Sequence, residues 1–521
     1  MSRSGAFLLS CAALLTSSSS SAQSIAASFR VQSDWGTGYV GEIQLTNAAQ
    51  TPISSWAIEF DLGGHIVTLW NGNDTVTGSH HVVRGLGWNA VLAPGGSALF
   101  GFQIAYSGSR PEPANCRFAG KACTFSGVTA PAPGVPPQPE PTPTPAPVPT
   151  PVPLPPGNSS GFLSMSGATM VDSAGRPVRL TGVNWFGFET ANRVVHGLWS
   201  RDYRSMLHQV SDLGFNAVRI PWSNAILEAG STPNSITYSG ADPYDGMAPM
   251  NQPLQGKSSL QVLDLIIGEA GRLGLKVILD NHSRKPDNFI SEGLWYLPDF
   301  PESRWIADWK TLAIRYRSHP TVVAFDLHNE PHNQASWGGD PATDFAGAYE
   351  RAAAAIHSVH PDVIIIAGGV QTHAGISYWW GGNLRGVKDR PLDIEPSKLL
   401  YSAHDYGPEV FPQTWFSAPD YPQNLIPLWD ATWGYIPKSG QAGVFIGEFG
   451  IGHSDAYQGR ALQWIQSLMA YMGRSSSWTY WSLNPNSGDT GGILKDDWVS
   501  VQQWKLDLLI PYQARQFPAE P

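Results

Sequence analysis

The sequence predicts two folded parts in series, a small all-β sandwich followed by an α/β part closed as a (β/α)8 barrel. Three observations carry this. Residues 131–156 hold 14 prolines in 26 positions, a composition that cannot pair into a sheet and should run as an extended left-handed helix of roughly 80 Å. Before this spacer, short runs alternate apolar and polar residues between Gly, Asn, Pro and Ser, which is strand periodicity. After it, eight apolar runs rich in β-branched residues alternate with helix-like stretches.

The first residues read as an export signal. Arg3 supplies a positive start, Ala6 to Thr16 is apolar but too short to span a bilayer, and Ser20-Ser-Ala22 offers small residues for cleavage near Gln23. Cys11 lies inside the apolar stretch, so a lipid anchor is not expected there. No later segment is long and apolar enough for a membrane helix. The organisation expected is therefore 1–22 signal peptide, 23–129 β-sandwich, 130–160 linker and 161–521 barrel, with the mature chain secreted, extracellular and monomeric. Cys116 and Cys123 then remain, an even count suited to an oxidising compartment.

Composition narrows the partners. A net charge of −10 with scattered lysines and arginines argues against nucleic acid. Twenty-one tryptophans are many, and some of their flat faces should meet sugar rings.

In the sandwich, Tyr39–Leu45, Trp56–Phe60 and Ser97–Ile104 have strand periodicity. Trp56, embedded in an alternating run, belongs to the core, whereas Trp35, Trp70 and Trp88 stand in turn-like settings beside Gly and Asn. The segments Asp34-Trp-Gly-Thr-Gly-Tyr39, Gly87-Trp-Asn89, Ala93-Pro-Gly-Gly-Ser97 and Ala119-Gly-Lys-Ala-Cys123 resemble the family 2 carbohydrate-binding modules over nearly the whole part. That resemblance places Trp35, Trp70 and Trp88 on a flat strip that stacks on crystalline cellulose. It departs in its cysteines: the family bridges its two ends, but no cysteine lies near residue 25, leaving a local Cys116–Cys123 bridge or two free thiols. A bridge across so short a loop would contribute roughly 2–3 kcal/mol by the chain-entropy argument.

The barrel strands are expected at Leu180–Asn184, Ala217–Ile220, Lys276–Asp280, Val322–Leu327, Val363–Ala367, Leu399–Ala403, Gly443–Ile446 and Ser477–Trp481. Tyr203–Leu213 and Leu260–Leu273 are among the helices between them. Phe162–Val178 reads as a hairpin closing the base, with Asp172-Ser-Ala-Gly175 as its turn. An open doubly wound sheet would need a nucleotide-type glycine loop after the first strand, and none is present.

Glu330 and Glu448 each stand where an apolar strand stops, so both carboxylates should project from the rim where barrel enzymes keep their chemistry. Paired carboxylates on one rim are equipment for cleaving a glycosidic bond. Arg219, His282, Asn329, His404, Tyr406 and Trp481 end neighbouring strands and complete the constellation. His328 and His332 flank Glu330 as in a zinc helix, but Pro331 and the strand context break the spacing that motif needs, so a catalytic metal is not expected; no cofactor is expected either.

Gly182-Val-Asn-Trp-Phe-Gly-Phe-Glu189, Ile278-Leu-Asp-Asn-His282, His328-Asn-Glu-Pro-His332, His404-Asp-Tyr406, Gly447-Glu-Phe-Gly450 and Trp481 to Gly491 resemble glycoside hydrolase family 5, of the bacterial endoglucanase type. The resemblance implies Glu330 as general acid and base and Glu448 as nucleophile. Arg219 and Tyr406 would hold Glu448 ionised, and its charge would raise the pKa of Glu330. Asn329 would bind the sugar 2-hydroxyl, His282 and His404 would position sugar and acid, and Trp481 would lie under the ring. The expected activity is a retaining endo-β-1,4-glucanase acting on cellulose. The alternatives are a β-mannanase or related β-glycan hydrolase, and a non-catalytic cellulose-binding protein.

Overall fold

The computed structural model describes residues 25–34, 38–70, 72–85, 90–106, 108–126 and 161–518. The expected signal segment, the proline-rich spacer, Trp35 and Trp88 lie outside these residues. Trp70 ends the strand His65–Trp70, and its side chain lies outside the description. The chain divides into two compact units at Pro136–Pro137.

The first unit is a sandwich of two five-stranded sheets. One runs in the order Phe125–Ser126, Ile25–Asp34, Gly38–Asn47, Ser97–Ala105, His65–Trp70, and the other in the order Asn73–Thr77, His80–Arg84, Ala57–Asp61, Ala114–Phe118, Lys121–Ala122. Alternation does what the sequence requires: Tyr39, Ile43 and Leu45 of one sheet and Ile58, Phe60 and Val83 of the other enter a shared core. Trp56 is fully buried there, stacked on Phe100 at 5.7 Å. Cys116 and Cys123 form a disulfide across the Ala114–Phe118 hairpin, so the local pairing is the one adopted.

The second unit is a closed barrel of eight parallel strands: β1 (Thr181–Asn184), β2 (Ala217–Ser223), β3 (Lys276–Ser283), β4 (Val322–Asp326), β5 (Ile364–Gly368), β6 (Leu399–His404), β7 (Gly443–Glu448) and β8 (Ser477–Tyr480). All eight expected strands are present within a few residues. Closure excludes the open sheet. The outer helices are α1 (Tyr203–Asp212), α2 (Ser259–Arg272), α3 (Glu302–Tyr316), α4 (Phe345–His357), α5 (Leu425–Trp429), α6 (Tyr435–Ser439), α7 (Arg460–Met472) and α8 (Gln503–Leu509). Their starts are encoded locally. Ser258 and Gln261 make a reciprocal capping box on α2, and Asp202 and Asp344 accept first-turn amides of α1 and α4. No α-helix lies between β5 and β6.

A hairpin of Ser164–Ser166 and Thr169–Val171 plugs the base, with Leu163, Met165 and Met170 packed on Ala217, Ile278, Ile366 and Phe445 inside the barrel. Its tight turn falls at Gly167–Ala168, where φ of Gly167 is +59°, rather than at Asp172–Gly175. The latter is a second turn, held by Asp172 accepting from the amides of Ala174 and Arg176, that returns the chain to a bridge between Val171 and Pro177.

The chain's end is bound at the seam of the barrel. β1 pairs with β8 in register Thr181 to Trp478. Ala514 N donates to Thr181 Oγ1 at 2.9 Å, Asn216 Nδ2 to the Arg515 carbonyl at 2.8 Å, and Gln513 Nε2 to the Leu213 carbonyl at 2.9 Å.

Candidate active site

In parallel barrels the strands' carboxyl ends share one face, so polar residues closing successive strands converge. Here β2 supplies Arg219, β3 supplies Asp280 and His282, β6 ends in His404 and β7 in Glu448. Asn329 and Glu330 follow β4, Tyr406 follows β6 and Trp481 follows β8. All eight residues singled out from sequence are brought together. Arg219, His282, Asn329, His404, Tyr406 and Glu448 are buried, while the Glu330 side chain keeps 19% of its surface exposed.

Arg219 organises the floor. Its Nη1 donates to Glu448 Oε1 at 2.7 Å and to Asn184 Oδ1 at 2.9 Å; Nη2 lies 3.0 Å from Asp280 and 2.9 Å from Asp326 and donates to Asn329 Oδ1 at 3.2 Å. Burial works against its charge, yet three carboxylates hold its pKa above the ordinary arginine range. Removing such a cation would strand buried carboxylates, at about 3–5 kcal/mol for one broken pair. Asn184 reaches from β1 to the carbonyls of Gly447, Thr479 and Tyr480, tying the seam strands to the site.

The two glutamates face each other across His404. Its Nδ1 lies 3.0 Å from Glu330 Oε1 and 3.6 Å from Glu448 Oε2, and an oxygen of each glutamate lies within 4.8 Å of the other's. Their environments separate them. Burial raises the pKa of Glu330 and the Glu448 charge raises it further, against the hydrogen bond from His404. The sequence argument credited the Glu448 charge with this shift; burial is the larger cause. For Glu448 burial also pushes upward, but the charges of His404, Arg219 and His282 and the 2.8 Å hydrogen bond donated by Tyr406 Oη hold it below the ordinary glutamate value. Opposed shifts in adjacent carboxylates are the pattern that suits one to act as an acid and the other as an anion.

Backbone geometry serves the same end. Glu330 has φ +47°, a left-handed conformation costing about 1–3 kcal/mol for a residue with a Cβ. At position 447 a Cβ would stand 3.0 Å from His404 Nε2 and 2.9 Å from Ser402 Oγ, so glycine before the β7 glutamate makes room for the imidazole.

Around the pair, His282 Nδ1 sits 2.6 Å from Asp280 Oδ2; burial lowers its pKa, but the Asp280 charge and hydrogen bond push it up to about 9. Asn329 Nδ2 is 3.3 Å from His282 Nε2. The half-buried Trp481 lies parallel to the buried rings of Phe186 at 5.4 Å and His282 at 5.7 Å.

Sequence reasoning missed the residues beneath this layer. Asp280, Asp326 and Asn184 read as ordinary strand residues, although a charge inside a buried parallel strand was itself a signal. Asp405, between His404 and Tyr406, is fully enclosed and accepts from Trp464 Nε1 at 2.6 Å, Trp429 Nε1 at 2.7 Å and the Tyr378 hydroxyl. Burial pushes its pKa up to about 7 while those donors pull it down. It pins the segment from which His404 and Tyr406 project.

Among the described residues, Asp280–His282–Glu448 and Glu330–His404–Glu448 each bring three possible ligand atoms within 4.8 Å. The two triads share Glu448, whose Oε1 is already met by Arg219 and Oε2 by Tyr406, so a cation would have to compete with a guanidinium or a hydroxyl. That donor set suits proton transfer better than a metal.

The sequence matches the family described as Cellulase (glycosyl hydrolase family 5) over residues 171–487 and the Cellulose binding domain over residues 25–123. An endoglucanase of Paenibacillus polymyxa is 45% identical, covering 67% of this chain and 86% of its own length. The major extracellular endoglucanase of Xanthomonas campestris is 43% identical over 65% of this chain and 69% of its own. A solved endocellulase of Pyrococcus horikoshii superposes with a TM-score of 0.63 at 38% identity, covering 68% of this chain and 99% of that one. With the barrel, the paired carboxylates and these matches all falling on the same residues, the chain belongs to glycosyl hydrolase family 5 and carries a cellulose-binding domain ahead of its barrel.

Proposed function

We propose that this protein is an exported, retaining endo-β-1,4-glucanase held on cellulose by its N-terminal domain. One observation carries the reading: two carboxylates on one rim, with oxygens within 4.8 Å, one shifted toward the anion and the other toward the acid. Retaining glycosidases place their carboxyl groups about 5–5.5 Å apart, whereas inverting ones need roughly 6.5–9.5 Å to admit water between carboxylate and sugar. The separation here favours retention.

Glu448 attacks the anomeric carbon while Glu330 gives its proton to the departing glycosidic oxygen, leaving a glycosyl ester on Glu448. Glu330, now a carboxylate, takes a proton from water, whose oxygen attacks the same carbon and frees Glu448. Arg219 and Tyr406 keep the nucleophile ionised, His404 steers the acid, Asn329 is placed for the 2-hydroxyl, and Trp481 lies under the ring. Trp35, Trp70 and Trp88 would stack on the solid substrate.

The relatives support the substrate class. Those from Paenibacillus and Xanthomonas are endoglucanases, and one Pyrococcus endocellulase structure is a cellotetraose complex. The Xanthomonas enzyme is extracellular by name, which agrees with an export signal at residues 1–22. No helix among the described residues is long and apolar enough to cross a membrane. The test compares viscosity loss and soluble product on carboxymethylcellulose, mannan and xylan. A fast fall on the first alone is expected; preference for mannan or xylan would overturn the glucanase reading.

A further inference from the structure

The loops after β1, β2 and β3, on the same rim as the glutamates, line a half-open cavity of about 280 Å³. Its wall carries four cations, Arg193, Arg284, Lys285 and Arg304, and two acids, Glu228 and Asp299. Two cations are matched: Lys285 Nζ meets Asp299 Oδ2 at 2.6 Å, and Arg304 Nη2 meets Glu228 Oε1 at 3.1 Å. Among the described residues Arg193 has no such partner, and Arg284 meets only the buried Glu292, loosely, at 3.6 Å from its Nε.

Arg284 is 1% exposed, yet its Nε and Nη1 have no hydrogen-bond acceptor; only Nη2 donates, to the Asn281 carbonyl at 3.3 Å. Glu292 stands 3.6 Å from Nε, beyond hydrogen-bond reach. Its oxygens are turned to the amides of Arg284 and Lys285 and to Asn288 Nδ2. Burial accordingly lowers the pKa of Arg284, with Glu292 only partly offsetting it. A buried guanidinium with two idle nitrogens is costly unless something accepts from them. The half-buried Arg193 side chain has no hydrogen-bond or ion-pair partner among the described residues. Helix α3 starts between two lining residues, Phe300 and Arg304, and its N-cap Pro301 offers no side-chain acceptor. The first-turn carboxylate of Glu302 is turned away, to Trp295 Nε1 and Arg351. A positive helix end therefore opens beside the cations.

We propose that this cavity is an oxyanion site, taking one carboxylate or phosphate group on the guanidinium groups of Arg284 and Arg193. A planar guanidinium matches two oxygens of either group. Such a group reaches the site either as a free small anion or as an acidic substituent of a glycan lying on the same rim.

The test titrates the full chain with inorganic phosphate and separately with glucuronate, at constant ionic strength in chloride, reading melting temperature and calorimetric heat. Saturable stabilisation by at least one of them is expected, with glucose giving none. Binding to phosphate alone identifies a free anion; binding to glucuronate identifies the glycan-borne carboxylate. Arg193→Ala should weaken binding about tenfold or more, equivalent to one charge-assisted bond of about 1.4 kcal/mol, and leave hydrolysis of neutral glucan unchanged. Arg284→Met should abolish binding, and because Arg193 is partly exposed its variant remains informative if the Arg284 variant does not fold. Absence of saturation by either anion, or unchanged affinity in Arg193→Ala, overturns the proposal. Either result leaves the catalytic reading untouched, since that is measured on neutral substrate.

Discussion

Replacing Tyr406 with phenylalanine removes one hydroxyl from the anion it serves and leaves the ring in place. The hydroxyl donates to Glu448 Oε2 at 2.8 Å, with both groups buried. A hydrogen bond to a charged group is worth about 1.5–3 kcal/mol, and one pKa unit corresponds to about 1.4 kcal/mol. The loss should raise the Glu448 pKa by about one to two units, from a value that His404, Arg219, His282 and this bond hold down against burial. The proposed mechanism needs Glu448 ionised, so the acidic limb of kcat/KM should move upward by that amount, with the largest fall on the acid side. The 2.7 Å contact with Arg219 remains and continues to favour the anion. The assay is kcat/KM on an activated aryl cellobioside across pH, with melting temperature as the folding control. The two limbs belong to the coupled Glu330–Glu448 pair, and the shift is read on the acidic one. An unmoved acidic limb in a folded variant would refute the role given to this hydroxyl.

Glu330→Ala should depress hydrolysis of substrates with poor leaving groups far more than of activated aryl glycosides, which need little protonation; equal losses would remove Glu330 from the acid role. Glu448→Ala should lose hydrolysis and regain turnover on an activated β-glycoside when azide is added, yielding the α-azide. In the unaltered enzyme, proton NMR should show the β-anomer first; an α-anomer appearing before mutarotation would refute retention. Trp35→Ala, Trp70→Ala and Trp88→Ala should each weaken adsorption to crystalline cellulose with hydrolysis of soluble substrate nearly unchanged, and loss of soluble activity in any of them would contradict independent domains.

The barrel was legible because each strand is a short β-branched run, and the inner ring of the site because its members stop those runs. Asp326 and Asn184 were not, since their meaning lies in what Arg219 touches across the barrel. The cage on Asp405 draws on Tyr378, Trp429 and Trp464, which no local spacing connects. Among the described residues nine tryptophans are fully buried, Trp305 and Trp309 among them, so the abundance that suggested sugar contacts is in good part a core property. The hairpin turn was misplaced because Asp172-Ser-Ala-Gly175 has strong turn chemistry and does turn; Gly167 gave the weaker signal at the tighter bend.

The clasp at the barrel seam sets an order of events during synthesis. β1 leaves the ribosome well before its partner β8 and the segment that binds Thr181 and Asn216, with Ala514 reaching back 333 residues. Until then one edge of β1 has no strand to pair with, and so distant a contact is formed slowly. The nascent barrel must remain an open sheet until β8 has emerged. A chain ending before Gln513 would keep every strand and lose the clasp, and its defect should appear as slow closure and aggregation during expression.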